Sequence, residues 1–324
     1  MLSFKQAYQE VEEFIAAADF SGNPAELYDP ITYSMNLGGK RLRPALLLMA
    51  ADIFEAEKPA ALNAALGIEV FHNFTLVHDD IMDEAPLRRG KDTVYKKWNR
   101  DIAILSGDVM FVKAIDFFLK LQPAQQLADV LRVFNKTAAE VCDGQQMDMN
   151  FETQEEVSIA DYIQMIELKT AVLLAAALKI GAMIGGASDE DANHIYEFGR
   201  FIGIAFQLQD DYLDAYANPD TFGKIVGGDI IANKKTYLLL EAFNLANTSQ
   251  LAELNDCISG KFEDEEKVKR VKSIYNQLTI PELSKQKMKT YFDQGMASLA
   301  KVSLPQEKKQ ALVDIAEELM YRAV

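Results

Sequence analysis

Two cysteines, three histidines and 33 basic residues set against 49 acidic ones are what this 324-residue chain has little of. Cys142 and Cys257 are too few for a disulfide framework, which removes the small stapled folds. No serine–histidine–aspartate pattern accompanies the few histidines, so nucleophilic catalysis of that kind is not indicated. The deficit of basic residues leaves a formal net charge of −16 and a pI near 4.7. Such a field repels phosphate and argues against nucleic acid or an anionic membrane as the main partner. An anionic ligand would need local positive charge or a metal ion to overcome it. Long uninterrupted apolar runs are also missing. The most apolar segment, "TAVLLAAALKIGAMIGGA" from Thr170, is broken by Lys179 and rich in Ala and Gly, which suits a buried helix better than stable membrane insertion. The opening "MLSFKQAYQE" lacks the basic-then-apolar layout of a signal peptide, so a cytoplasmic location is the default expectation.

Period-two alternation of β-branched residues is nearly absent as well, whereas apolar residues recur at three- and four-residue spacing for long stretches. The chain therefore reads as all-α with long helices. Breaks rich in Gly, Pro, Asp or Asn are expected at residues 21–30, 36–44, 84–93, 122–126, 185–191, 217–229 and 279–283. No linker or fixed-period repeat appears, and residues 1–324 read as one domain. The mixed-charge run "KFEDEEKVKRVKS", from Lys261 to Ser273, reads as a solvated helix face.

Against this background "LVHDDIMDEAPLRRG", Leu76 to Gly90, stands out. Asp79 and Asp83, at i and i+4, share one helix face about 6 Å apart along the axis, and Asp80 is turned by roughly 100°. Aspartate is a mediocre helix former, and like charges at this spacing repel by a few tenths of a kcal/mol even in solvent. On an apolar helix the cost is much larger unless a cation is present; the other reading of this motif taken alone is an acidic helix end running into the loop at Ala85–Pro86. Hard oxygen ligands without thiols favour Mg²⁺, which keeps several waters and bridges carboxylates to phosphate oxygens. The same D-D-x-x-D spacing returns in "FQLQDDYLD" as Asp210, Asp211 and Asp214, 131 residues later. Were the two helices to face each other, their carboxylates would hold metal from both sides of one cavity, neutralising a bound diphosphate and its departing pyrophosphate.

Basic residues fall where a diphosphate would need them. "GGKRLRP" places Lys40, Arg41 and Arg43 after a Gly-Gly turn, and "LRRG" places Arg88 and Arg89 beyond the first acidic helix. The arginine fork suits bidentate phosphate contact. Lys169 in "ELKT", Lys224 in "FGK" and Lys234 in "NKKT" are further candidates. There are more basic clusters than one diphosphate requires, so two anionic groups are expected.

In their order and rough spacing, from about Asn36 to Thr236, these motifs resemble those of the trans-isoprenyl diphosphate synthases, the polyprenyl synthetase family. The resemblance implies a bundle of long, mostly antiparallel helices around a central active-site cavity, usually homodimeric. It implies Mg²⁺-dependent joining of isopentenyl diphosphate to an allylic diphosphate (dimethylallyl, geranyl or farnesyl), with release of pyrophosphate. Carried onto this sequence, Asp79, Asp83 and Asp210 would hold Mg²⁺, three ions per site, with Asp80, Asp211 and Asp214 supporting. Arg88, Lys169 and Lys224 would contact the allylic diphosphate, and Lys40, Arg43, His72 and Arg89 the isopentenyl diphosphate. Thr170, Gln207 and Lys234 would line the reacting end of the allylic substrate.

Product length is read one turn upstream of Asp79, where Phe74 is bulky and Thr75 small. An aromatic at the fifth upstream position without one at the fourth is similar to some geranylgeranyl synthases, so C20 is expected ahead of C15. The chain lacks the two extra residues that many bacterial short-chain enzymes carry inside the first aspartate motif. Other readings are a terpene cyclase, a non-catalytic regulatory subunit, or a di-iron helical bundle using the E-x-x-H pair Glu69 and His72. The cyclase would carry a mixed second motif, and the regulatory subunit would have lost ligands. The iron protein would need a second E-x-x-H, whose nearest counterpart, Asp191 to His194, lies in a segment that reads as loop. The C-terminal "ELMYRAV" carries Arg322, which reads as a frayed end or a closing element.

Overall fold

The structure is a computed structural model and describes residues 1–121, 126–217 and 227–320. The expectations for Lys224 and Arg322 fall outside those residues. In chain order the helices are α1 (Phe4–Ala17), α2 (Ala25–Met35), α3 (Leu42–Ile53), α4 (Lys58–Met82), α5 (Val94–Lys97), α6 (Arg100–Phe118), α7 (Leu127–Thr153), α8 (Ile159–Ile166), α9 (Val172–Ile184) and α10 (Asp189–Tyr216). They continue with α11 (Gly228–Ile231), α12 (Tyr237–Leu245), α13 (Thr248–Ile258), α14 (Asp264–Gln277), α15 (Ile280–Ala300) and α16 (Gln306–Met320). A π-helical turn, Glu167–Ala171, joins α8 to α9. Among the described residues the only sheet is the hairpin of β1 (Leu87–Arg88) and β2 (Lys91–Asp92). The expected all-α class is what the chain forms.

Local chemistry sets several helix starts. Ser3, Ser158 and Asn247 each accept from the backbone of the third helical residue, and Gln6, Asp161 and Gln250 answer back to the cap in full capping boxes. The chain groups into two compact units. The first comprises residues 1–136, 176–196 and 302–312; the second comprises 137–175, 197–301 and 313–324. In the first, Leu46, Leu47 and Met49 of α3 and Leu66, Ile68 and Phe71 of α4 are fully buried, as is Phe118 of α6. Each such side chain contributes about 1.5–3 kcal/mol relative to exposure. Gly67 lets α4 and α6 approach closely: a Cβ there would lie 3.0 Å from the Ala114 carbonyl oxygen. α4 is long and apolar enough to cross a membrane, but 67% of its most apolar window is buried in the protein. In the second unit, Tyr162, Ile166, Ile204 and Leu208 form one core cluster, and Leu238, Leu254, Ile274, Tyr275 and Ile280 another.

Four local expectations are corrected. The break at residues 21–30 ends earlier, because α2 starts at Ala25 and keeps Pro30 inside it. The break at 84–93 contains the hairpin. Asp191 to His194 is helical rather than loop, since α10 begins at Asp189. Asp191 lies in that first turn, where a carboxylate is favoured, and its Oδ1 accepts from the Ser303 backbone N–H at 2.7 Å. The run from Lys261 to Ser273 is not wholly solvated: Lys267 is only 5% exposed and Val271 3%.

Candidate active site

In the first unit, the first aspartate motif occupies the C-terminal end of α4. Asp83 is the C-cap, with its N–H donating to the Asp79 carbonyl at 2.9 Å. Glu84 takes a left-handed conformation (φ 49°), and Ala85 N–H reaches back to the Asp80 carbonyl at 3.0 Å. Carbonyl oxygens and the negative pole of the helix dipole thus gather where three carboxylates sit, the least favourable helix end for anions. Asp80 is buried, and burial raises its pKa against the opposing pull of Arg88. Arg88 Nε donates to both oxygens of Asp80, at 2.9 and 3.0 Å, and its Nη2 lies 3.9 Å from Asp79 Oδ2.

The hairpin explains why two adjacent arginines go to different places. Arg89 and Gly90 form its two-residue turn with φ of 53° and 75°, the primed geometry that suits strand twist. Arg88 stays on the strand beside Asp80, whereas Arg89 Nη1 donates to the Gly38 carbonyl of the Gly-Gly turn. Gly39 (φ 143°) makes room for that guanidinium, because a Cβ there would lie 2.7 Å from Arg89 Cζ. The first unit therefore brings Arg89 to the "GGKRLRP" segment, as it brings His72 to Arg43, whose Nη1 lies 3.2 Å from His72 Nε2. Burial, then Arg43, hold the His72 imidazole well below its ordinary pKa, so the neutral ring accepts from the arginine. Lys40 is exposed.

Arg41 is different in kind. Its side chain is buried, with Nε 2.5 Å from Glu12 Oε1, Nη1 2.7 Å from Glu69 Oε1 and Nη2 2.7 Å from the Met35 carbonyl. Asn73 Nδ2 also donates to Glu69 Oε1, at 3.1 Å. Glu69 and His72 are thus engaged with arginines rather than forming the metal pair of a di-iron bundle. Upstream of Asp79, the Phe74 ring packs 5.5 Å from Phe71, 5.5 Å from Phe111 and 4.8 Å from His78. Phe134 backs this cluster, 5.2 Å from Phe71. Thr75 Oγ1 donates to the His72 carbonyl at 2.8 Å and adds no bulk.

In the second unit, the second aspartate motif lies in the last two turns of α10. Asp211 is buried and both its oxygens are engaged: Gln207 Nε2 donates to Oδ1 at 3.0 Å and the Tyr162 hydroxyl donates to Oδ2. Burial, then the neighbouring Asp229, push its pKa up to about 7. Thr170 Oγ1 donates to Gln207 Oε1 at 3.1 Å, so Tyr162, Asp211, Gln207 and Thr170 form one chain of hydrogen bonds. Asp214 anchors the next segment: its Oδ2 accepts from Asp229 N–H at 2.9 Å, and its carbonyl accepts from Gly227 N–H at 2.6 Å. Lys234 Nζ is 3.9 Å from Asp229 Oδ1. Lys169 sits on the π-turn with Nζ 2.6 Å from Asp148 Oδ2. That turn rests on Gly144, where a Cβ would come within 2.3 Å of the Lys169 amide nitrogen. A π-turn at such a place is a recurrent mark of functional sites.

Tyr162, Asp148 and Asp229 carry no role in the sequence reading. Asp229 lies inside the noticed "GGDI" segment, whereas Asp148 and Tyr162 give no signal until α7 and α8 bring them to Lys169 and Asp211. As a donor set, carboxylate oxygens at helix C-termini suit a hard divalent cation. Among the described residues no three Asp, Glu, His or Cys side chains converge to enclose an ion on their own.

Residues 24–278 match the polyprenyl synthetase family. The chain belongs to that family. It is 46% identical over 222 residues to a geranylgeranyl diphosphate synthase of Methanosarcina mazei, covering 68% of each chain. It is 40% identical over 236 residues to a geranylfarnesyl diphosphate synthase of Natronomonas pharaonis, covering 68% of this chain and 69% of the other. A solved geranylgeranyl pyrophosphate synthase superposes with a TM-score of 0.93 at 42% identity over 99% of both chains. The chain is accordingly a prenyltransferase with the all-α fold of this polyprenyl synthetase family, whose members depend on Mg²⁺ and use isoprenyl diphosphates.

Proposed function

We propose that this polyprenyl synthetase condenses isopentenyl diphosphate with an allylic diphosphate and stops at the C20 product, geranylgeranyl diphosphate. The observation that carries the product assignment is Phe74, lodged among Phe71, Phe111 and His78 about 7.5 Å up α4 from Asp79. A tail lengthening along α4 meets that ring, while Thr75 leaves the neighbouring position open. The geranylgeranyl synthases among the relatives support C20, and the geranylfarnesyl relative marks the next length as the nearest competitor.

Asp79, Asp83 and Asp210 are the proposed Mg²⁺ ligands, three ions per active site, with Asp80, Asp211 and Asp214 supporting them. Bound Mg²⁺ supplies charge neutralisation of the diphosphate leaving group. Arg88 and Lys169, held by Asp80 and Asp148, are placed on the allylic diphosphate. Lys40, Arg43, Arg89 and neutral His72 take the isopentenyl diphosphate. Thr170 and Gln207 present hydroxyl and amide dipoles to the allylic cation formed when the C–O bond ionises, and Lys234 lies on the same side of the reaction. The isopentenyl double bond attacks that cation, and the resulting C–H proton passes to the departing pyrophosphate. No side-chain nucleophile takes part. Cytoplasmic location and a homodimer complete the proposal. The second copy is supported by Leu105 and Val112 of α6 and by Leu119 at its C-cap, which are 54%, 57% and 52% exposed at seven-residue spacing.

The test is incubation of the purified chain with labelled isopentenyl diphosphate, Mg²⁺ and each of the three allylic starters, followed by sizing of the products. Elongation to C20, lost on chelation and regained with Mg²⁺, is the expected result. Absence of elongation with every starter contradicts the proposal. Light scattering on the same sample should give twice the chain mass; a single-chain mass contradicts the dimer.

A further inference from the structure

We propose that Lys267, outside every motif of this family noted above, is a positioning residue for the turn that carries Asp229 and Lys234. Its place is unusual for a lysine. It lies at the N-terminal end of α14, just after Asp264, Glu265 and Glu266, where the helix dipole disfavours a cation, and it is only 5% exposed. Burying an ammonium there costs free energy unless a polar partner meets it. The partner is the Ile231 carbonyl, which accepts from Lys267 Nζ at 2.8 Å. Ile231 is the last residue of α11, so the ammonium lands on the exposed carbonyl end of that short helix, the favourable pole for a cation.

The next residue holds the other end of α11. Val268 packs on Gly227, where φ is 87° and a Cβ would lie 2.9 Å from both valine methyls. Helix α14 therefore grips α11 at both ends, and α11 carries Asp229. The chain then turns through Asn233 (φ 56°), whose Nδ2 donates to the Ile258 carbonyl at 3.2 Å, and Lys234 N–H returns to the Asp229 carbonyl at 2.9 Å. Beside the grip is a cavity of about 20 Å³ lined in part by Asp229, Asn233, Lys234, Lys267 and Tyr275. Burial pulls the Lys267 ammonium below the ordinary lysine value, with Asp264 opposing it. The hydrogen bond to Ile231 ties this buried ammonium to the segment on which Asp229 and Lys234 stand.

The inference rests on the proposed reading of Lys234 at the reacting end of the allylic substrate and of Asp214, whose Oδ2 holds the Asp229 N–H, as a residue supporting Mg²⁺, and the experiment separates the two. Wild-type enzyme, Lys267→Met and Lys267→Arg are compared for folding by circular dichroism and for steady-state kinetics with Mg²⁺, allylic diphosphate and isopentenyl diphosphate varied in turn. Met keeps the stem without the donor, whereas Arg keeps a charged donor beside the adjacent cavity. The expected result is a folded Lys267→Met with kcat reduced on the order of tenfold or more and a higher Mg²⁺ requirement. Its KM for isopentenyl diphosphate should be unchanged, and Lys267→Arg should regain most of the loss. Wild-type kinetics in Lys267→Met, an equal change in all three constants, or failure of both variants to fold would each overturn the inference. Mg²⁺-independent wild-type activity would overturn the underlying reading instead.

Discussion

Arg41 and Arg43 stand two residues apart in one basic segment, yet the structure gives them different work. Arg41 neutralises Glu69 and Glu12 inside the first unit, while Arg43 meets His72. Truncating one partner of a buried ion pair leaves the other charge without compensation, at about 3–5 kcal/mol. Arg41→Met should therefore lower unfolding stability in urea by roughly that amount. Arg43→Met should keep the fold and raise KM for isopentenyl diphosphate by roughly ten- to a hundredfold, as expected for loss of one charged hydrogen bond of roughly 1.5–3 kcal/mol. Reversal of that pattern would contradict the assignment. The sequence could not separate the two arginines, because Glu12 and Glu69 lie 29 and 28 residues from Arg41 along the chain. The aspartates were legible for the opposite reason: carboxylates at i and i+4 on an apolar helical run carry their conflict within one turn.

Among the elements, the long helices followed from apolar periodicity, and the pieces that aim side chains did not. The hairpin at Leu87–Asp92 has only two residues per strand, too short for alternation to register, and its turn uses Arg89 rather than the usual Asn-Gly. The π-turn at Glu167–Ala171 has no compositional signature, because it depends on the surface against which Lys169 rests. Gly144 is the part of that surface that can be tested. A Cβ 2.3 Å from the Lys169 amide cannot be accommodated without moving backbone. Gly144→Ala should cost roughly 1–3 kcal/mol in urea unfolding, the usual range for overpacking, and should raise KM for the allylic diphosphate more than for isopentenyl diphosphate. Wild-type stability and kinetics in that variant would show that the π-turn does not depend on the contact.

For the whole molecule, the charge of −16 and the anionic substrates of the family are reconciled locally. In the first unit Arg43 is held on His72, Arg89 at the Gly-Gly turn and Arg88 on Asp80, and in the second unit Lys169 is held on Asp148, so each basic group has a fixed local place although the chain is acidic. Family membership was readable from the motifs because their order survives without any knowledge of contacts. Product length was less so, since the sequence placed Phe74 on the right helix but not against Phe71, Phe111 and His78. The central claim is that α4 serves two ends of the substrate, its C-terminal carboxylates the diphosphate and Phe74 the growing tail. Sizing the products of Phe74→Ala beside those of the wild type tests it most directly. The account predicts C20 from the wild type and a shift to C25 and longer products from the variant. An unchanged C20 distribution from active Phe74→Ala would contradict it.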